Sequence, residues 1–92
     1  MAQVVITIKI MPKSPDVDLA KVQEQALSKI KGFAGDGEVR AEEEPIAFGL
    51  KALKITFVSN EEKGSTDSLE EQIKEIEGVN SVETIDVRRA LG

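Results

Sequence analysis

The sequence predicts an α+β fold: a four-stranded antiparallel sheet with two helices on one face, threaded βαββαβ. Three observations carry that prediction. From Gln3 to Met11 the chain alternates, with Val4, Ile6, Ile8 and Ile10 one way and Gln3, Thr7 and Lys9 the other, the period of a strand with one covered face. Two stretches, one opened by Asp16-Val17-Asp18 and one by Thr66-Asp67, repeat apolar residues at helical spacing. Between them an acidic run and a second alternating run flank Pro45-Ile46-Ala47-Phe48-Gly49-Leu50, which reads as the tip of a β-hairpin. With right-handed crossovers, two such halves interleave as the ferredoxin-like plait.

In the first strand Val4, Ile6, Ile8 and Ile10 point one way, and Gln3, Val5, Thr7 and Lys9 point to a solvated face. Pro12-Lys13-Ser14-Pro15 breaks it. Asp16 and Asp18 supply an N-cap and first-turn acids for a helix along which Leu19, Val22, Ala26, Leu27 and Ile30 recur. Lys29 and Lys31 occupy its last turn, Gly32 is the expected stop, and Phe33 is expected to fold back as a cap contact. Ala34-Gly35-Asp36-Gly37 is a flexible link. Glu38 to Ile46 is the weakest strand, apolar only at Val39, Ala41 and Ile46, and its charge suits a sheet edge.

Leu50 to Val58 forms the other arm of the hairpin, with Leu53, Ile55 and Phe57 on one face and Ala52, Lys54 and Thr56 on the other. Asn60 to Gly64 is a polar loop. Thr66 or Asp67 caps a second helix, with Glu70 and Glu71 in its first turn and Leu69, Ile73 and Ile76 as its stripe. Gly78 ends that helix. Val79 to Val87 gives a last strand carrying Val82, Ile85 and Val87, followed by the tail Arg88-Arg89-Ala90-Leu91-Gly92.

Residues 1–92 are expected to form a single domain, large enough for one core. No apolar run approaches the roughly 20 residues of a membrane span, and no signal-peptide pattern opens the chain. The chain has no Cys and no His, which removes disulfides, thiol nucleophiles, imidazole bases and the usual zinc ligands. A Cys-free composition is compatible with the cytoplasm. A net charge of −5 disfavours a surface that tracks phosphates.

Catalytic candidates are few. Ser65, Thr66 and Ser68 lie at a helix start, where hydroxyls serve as caps. Gly32, Gly35 and Gly37 follow a helix and lead into a strand, the reverse of the order a phosphate-cradling loop needs. Glu42-Glu43-Glu44 and the acids of the second helix lack calcium-loop spacing, and read as solvated faces with at most a weak cation site. Catalytic residues, metal ligands and cofactors are therefore expected to be absent. Arg88 and Arg89 either contact an acidic partner or keep the tail soluble.

Phe48 is one of three aromatic residues, all Phe. Either it packs back on its own hairpin, or it is an anchor presented to another protein. Interface anchors of that kind cost about 2 kcal/mol or more on truncation.

Three segments carry a resemblance. Pro45-Ile46-Ala47-Phe48-Gly49-Leu50-Lys51-Ala52-Leu53-Lys54-Ile55 is similar to the P-[IV]-G-[FY]-G-[IL]-K-K-L-x-I motif of the elongation factor 1-beta family. Asp18 to Val22 and Gly64 to Ile73 resemble its two helix openings, at fitting spacing. The resemblance implies an exchange domain standing alone, monomeric when free, that binds the elongation factor 1-alpha GTPase and speeds GDP release. It implies that Phe48 pushes into the GTPase near the nucleotide, framed by Ala47, Gly49, Leu50 and Lys51. Ala47 replaces the family's usual Gly before the aromatic. Eukaryotic members end in a Lys thought to disturb the magnesium site; here only Arg88 or Arg89 could fill that role.

The competing readings are an RNA-binding ferredoxin-like module and a small-molecule-sensing regulatory domain, with an enzyme in its own right the poorest fit. RNA-binding plaits stack bases on aromatics of the two central strands and need basic surface; here the first and third strands have no outward-facing aromatic and the net charge is negative.

Overall fold

The computed structural model describes residues 3–35, 37–60 and 66–90. Six elements follow in order: β1 (Gln3–Pro12), α1 (Leu19–Ala34), β2 (Val39–Pro45), β3 (Lys51–Asn60), α2 (Asp67–Lys74) and β4 (Val79–Ala90). The strands pair antiparallel in the order β2-β3-β1-β4, the expected ferredoxin-like plait, with acidic β2 at an edge. Asp36, Ser65, most of the polar loop after Asn60 and the terminal Leu91-Gly92 lie outside the described residues.

The core follows from register. Ile6, Ile8 and Ile10 of β1 lie opposite Phe57, Ile55 and Leu53 of β3. All six are buried, against Val22, Ala26 and Ile30 of α1 and Leu69 and Ile73 of α2. Each of these side chains larger than alanine contributes roughly 1.5–3 kcal/mol on burial.

Asp18 caps α1 as its chemistry predicts: one carboxylate oxygen accepts from the Ala20 and Lys21 amides at 3.0 and 3.4 Å. Asp16 stays outside the first helical turn. The far end of α1 differs from expectation. The helix runs through Gly32 and ends at Gly35, which has φ 86° and donates its amide to the Lys31 carbonyl at 2.9 Å. A mid-helix glycine costs about 1 kcal/mol, and Phe33 gives a reason to continue. Its ring meets Phe57 edge-on, centroids 6.5 Å apart at 86°, so Phe33 is a helical packing residue rather than a cap.

Thr66 stands at the start of α2 without capping it through its side chain. Its hydroxyl instead donates to Glu70 Oε2 at 3.0 Å and lies 3.0 Å from the Thr84 hydroxyl, which reaches the same oxygen at 3.2 Å. The first-turn acids are Asp67 and Glu70, not Glu71. Ile76 is buried beyond the helix end, and Gly78 turns the chain at φ 93°.

Ala52 sits on the face away from the helices, as expected, and is nonetheless buried; the Glu44–Lys54 ion pair, 3.4 Å, joins its cross-strand and same-face neighbours. In β4 only Val82 of the expected trio packs against the core. A bulge between the Ile8–Thr84 and Thr7–Asp86 pairs leaves Ile85 out of register and exposed. Val87, opposite Ile6 but past the start of α2, is exposed as well.

Candidate partner-binding site

The hairpin is built for projection. Glu44 pairs with Ala52 and Pro45 with Lys51, after which Ile46 to Leu50 close the loop. The Leu50 amide donates to the Ala47 carbonyl at 3.1 Å, and the Ile46 amide donates to the Leu50 carbonyl at 2.8 Å. Phe48 and Gly49, the central residues, have φ of 59° and 77°. Positive φ at both central positions is the signature of a type I′ turn, whose twist matches that of the flanking strands.

Glycine adopts that conformation freely; a phenylalanine does not. Among the described residues Phe48 is the only non-glycine with positive φ, at a cost of about 1–2 kcal/mol. It is also 94% exposed, far above Val39, Ile46, Ile85 and Val87, the other exposed large apolar residues. The ring therefore does not pack back on its own hairpin. A strained backbone holding an apolar ring in water serves no folding purpose of its own, which is the usual mark of a functional position.

Its neighbours are small or braced. Ala47 and Gly49 are exposed and Leu50 is half-buried. Lys51 Nζ lies 3.8 Å from Glu43 Oε1, a weak pair with both side chains about half exposed. The loop between β1 and α1 lies beside the tip. A side-chain carbon placed on Gly49 would sit 3.9 Å from the Pro15 ring. That loop is pinned by the Lys13 amide donating to the Gly78 carbonyl at 2.9 Å and by a Val17 to Ser14 turn bond at 3.3 Å.

Arg88 and Arg89 are not part of this cluster. Arg88 pairs with Val5 and Arg89 with Val4 on β1, whereas the hairpin arm reaches β1 at Ile10–Leu53. Val5 to Ile10 spans about 17 Å at the usual rise of a strand, and the tip lies beyond that. The two arginines and Phe48 occupy opposite ends of a molecule 42 Å long. Arg88 Nε is engaged by Asp86 Oδ2 at 2.9 Å.

The sequence reading missed two things. It placed the hairpin tip without seeing that a two-residue turn centred on Phe48-Gly49 requires positive φ of the phenylalanine as well as the glycine. It read Pro12 to Pro15 only as a strand break; nothing in the sequence says which distant glycine Pro15 will lie beside.

Phe33 and Phe57 pack on the helix side of the sheet and Phe48 sits at the tip, so the uncovered sheet face carries no aromatic. No helix among the described residues is long and apolar enough to cross a membrane.

Comparison with known proteins agrees with the hairpin motif. The model of the EF-1 guanine nucleotide exchange domain family matches residues 5–90. A protein of Methanothermobacter thermautotrophicus called elongation factor 1-beta is 44% identical, over 99% of this chain and 100% of its own length. Proteins of the same name from Methanosarcina barkeri and Metallosphaera sedula are 45% and 44% identical, each over 97% of this chain. Among solved structures, a de novo designed protein, Foldit4, superposes with a TM-score of 0.63 over 98% of both chains at 19% identity, which speaks for the fold alone.

Proposed function

Since the chain belongs to the EF-1 guanine nucleotide exchange domain family, we propose that it works through the outward ring of Phe48. The chain is a guanine nucleotide exchange factor: it promotes GDP release from the elongation factor 1-alpha GTPase so that GTP can rebind. Exchange makes and breaks no covalent bond, so the chain needs no catalytic group and is not an enzyme in the chemical sense.

The physics is linkage. A factor that binds the nucleotide-free GTPase more tightly than the GDP form weakens GDP by the same ratio. Burying one Phe supplies roughly 1.5–3 kcal/mol, one to two decades of coupling if it is realised only in the open state. Because the fold already holds the backbone of Phe48 in its left-handed conformation, the backbone share of the ordering cost does not fall on the binding step. The observation that carries this reading is the 94% exposure of Phe48 at positive φ.

Ala47, Gly49, Leu50 and Lys51 frame the contact. Arg88 and Arg89, if they touch the same GTPase, do so at a second footprint on the far end of the sheet. Any disturbance of magnesium by those arginines is therefore separate from the pocket that takes Phe48. The free chain works as a monomeric single domain in the cytoplasm without direct contact with nucleic acid; the aromatic-free sheet face and the net charge of −5 support the last point.

The test is release of fluorescent GDP from elongation factor 1-alpha with and without this chain. Acceleration at substoichiometric chain supports the reading. An unchanged rate at saturating chain refutes it.

A further inference from the structure

Beside Phe48 lies a groove of about 490 Å³ between the hairpin and the β1–α1 loop. Gly49 forms part of its wall, so the turn that carries the ring also borders the groove. Pro15, Val17 and Leu19 supply apolar lining, and Glu43, Asp18 and Lys51 supply the charges. Two acidic residues and one lysine thus border the groove. Lys51 stands 3.8 Å from one oxygen of Glu43, beyond hydrogen-bond range. The start of α1 would oppose a cation, but the Asp18 carboxylate already accepts from its amides.

We infer that this groove receives a long cationic side chain, Lys or Arg, of the same GTPase that receives Phe48. The stem lies along Pro15, Val17 and Leu19, and the head meets Glu43 and the outer oxygen of Asp18. This division of an apolar stem from a solvated charge is the ordinary behaviour of such side chains. When Phe48 docks, its ring and the surrounding protein exclude water from the groove mouth, which strengthens the charge contact. The interface is then reciprocal, each partner placing one side chain into the other. The inference rests on the exchange reading above, yet it can fail alone.

The experiment is a titration of GDP-release rate against chain concentration for wild type, Glu43→Lys, Glu43→Gln and Glu71→Lys. Glu43 is exposed on an edge strand and Glu71 is exposed on α2 away from the groove. Glu43→Lys is expected to raise the half-maximal concentration about tenfold with little change in maximal rate, and Glu43→Gln by a smaller factor. Glu71→Lys, with the same charge change, is expected to titrate like wild type. If Glu43→Lys titrates like wild type while Phe48→Ala loses exchange, the groove stays empty and this inference falls while the exchange reading stands. If Glu71→Lys shifts as far as Glu43→Lys, long-range steering explains both and the inference also falls. A wild-type chain that does not accelerate release overturns both.

Discussion

Gly78 packs so closely against Val17 that a methyl group on it would lie 2.8 Å from Val17 Cγ1. The contact joins the end of the α2 segment to the β1–α1 loop, and the Gly78 carbonyl accepts from Lys13 in the same place. Gly78→Ala meets two penalties, the steric overlap and a left-handed φ of 93°. Urea denaturation should show a loss of about 2 kcal/mol or more. Adding Val17→Ala should relieve the overlap but not the backbone strain. Full recovery in the double variant would mean the φ contributes nothing.

The conformation of Phe48 sets stability against function. Replacing it by glycine removes the left-handed penalty, partly offset by the greater freedom of glycine in the unfolded chain. Phe48→Gly should therefore be more stable than wild type by about 0.5–1 kcal/mol in chemical denaturation, while exchanging nucleotide poorly. A destabilised Phe48→Gly would show that the ring packs on its own hairpin.

The Thr66–Glu70–Thr84 cluster ties α2 to β4 through one carboxylate oxygen. Glu70→Ala leaves both part-buried hydroxyls without that acceptor. It should cost about 1–2 kcal/mol in urea denaturation. Thr84→Val in the Glu70→Ala background should then cost less than it does alone, because its bond to the carboxylate is already gone and only the Thr66 hydroxyl contact is left to lose. Additive losses would contradict a shared network.

These cases show where sequence logic reaches and where it stops. Strand alternation and helix stripes predicted every element and the order of the core, because periodicity is imposed by burial and burial decides this fold. End points were less legible. Gly32 looked like a stop, but Phe33 finds Phe57, a partner 24 positions along the chain, and tertiary packing overrode local propensity. Ile85 lies exposed because a bulge puts it out of register, and bulges leave no signal in a single strand. At the tip, the motif pointed to Phe48 as the anchor, whereas the approach of Pro15 and the groove beside it arise from two loops distant in sequence. Arg88 and Arg89 seemed to belong with Phe48 only while sheet order was unknown.

The uncovered sheet face offers no base-stacking platform. In a gel shift at low salt, single-stranded RNA should stay unbound at micromolar chain, and tight retention would favour an RNA-binding module instead.

The central claim is that the ring of Phe48 drives exchange. It is tested most directly by the maximal rate of fluorescent-GDP release from elongation factor 1-alpha with Phe48→Ala. The account predicts a fall of about ten- to a hundredfold in acceleration with the fold intact by circular dichroism, the scale set by burying one Phe. Release at the wild-type rate would contradict it.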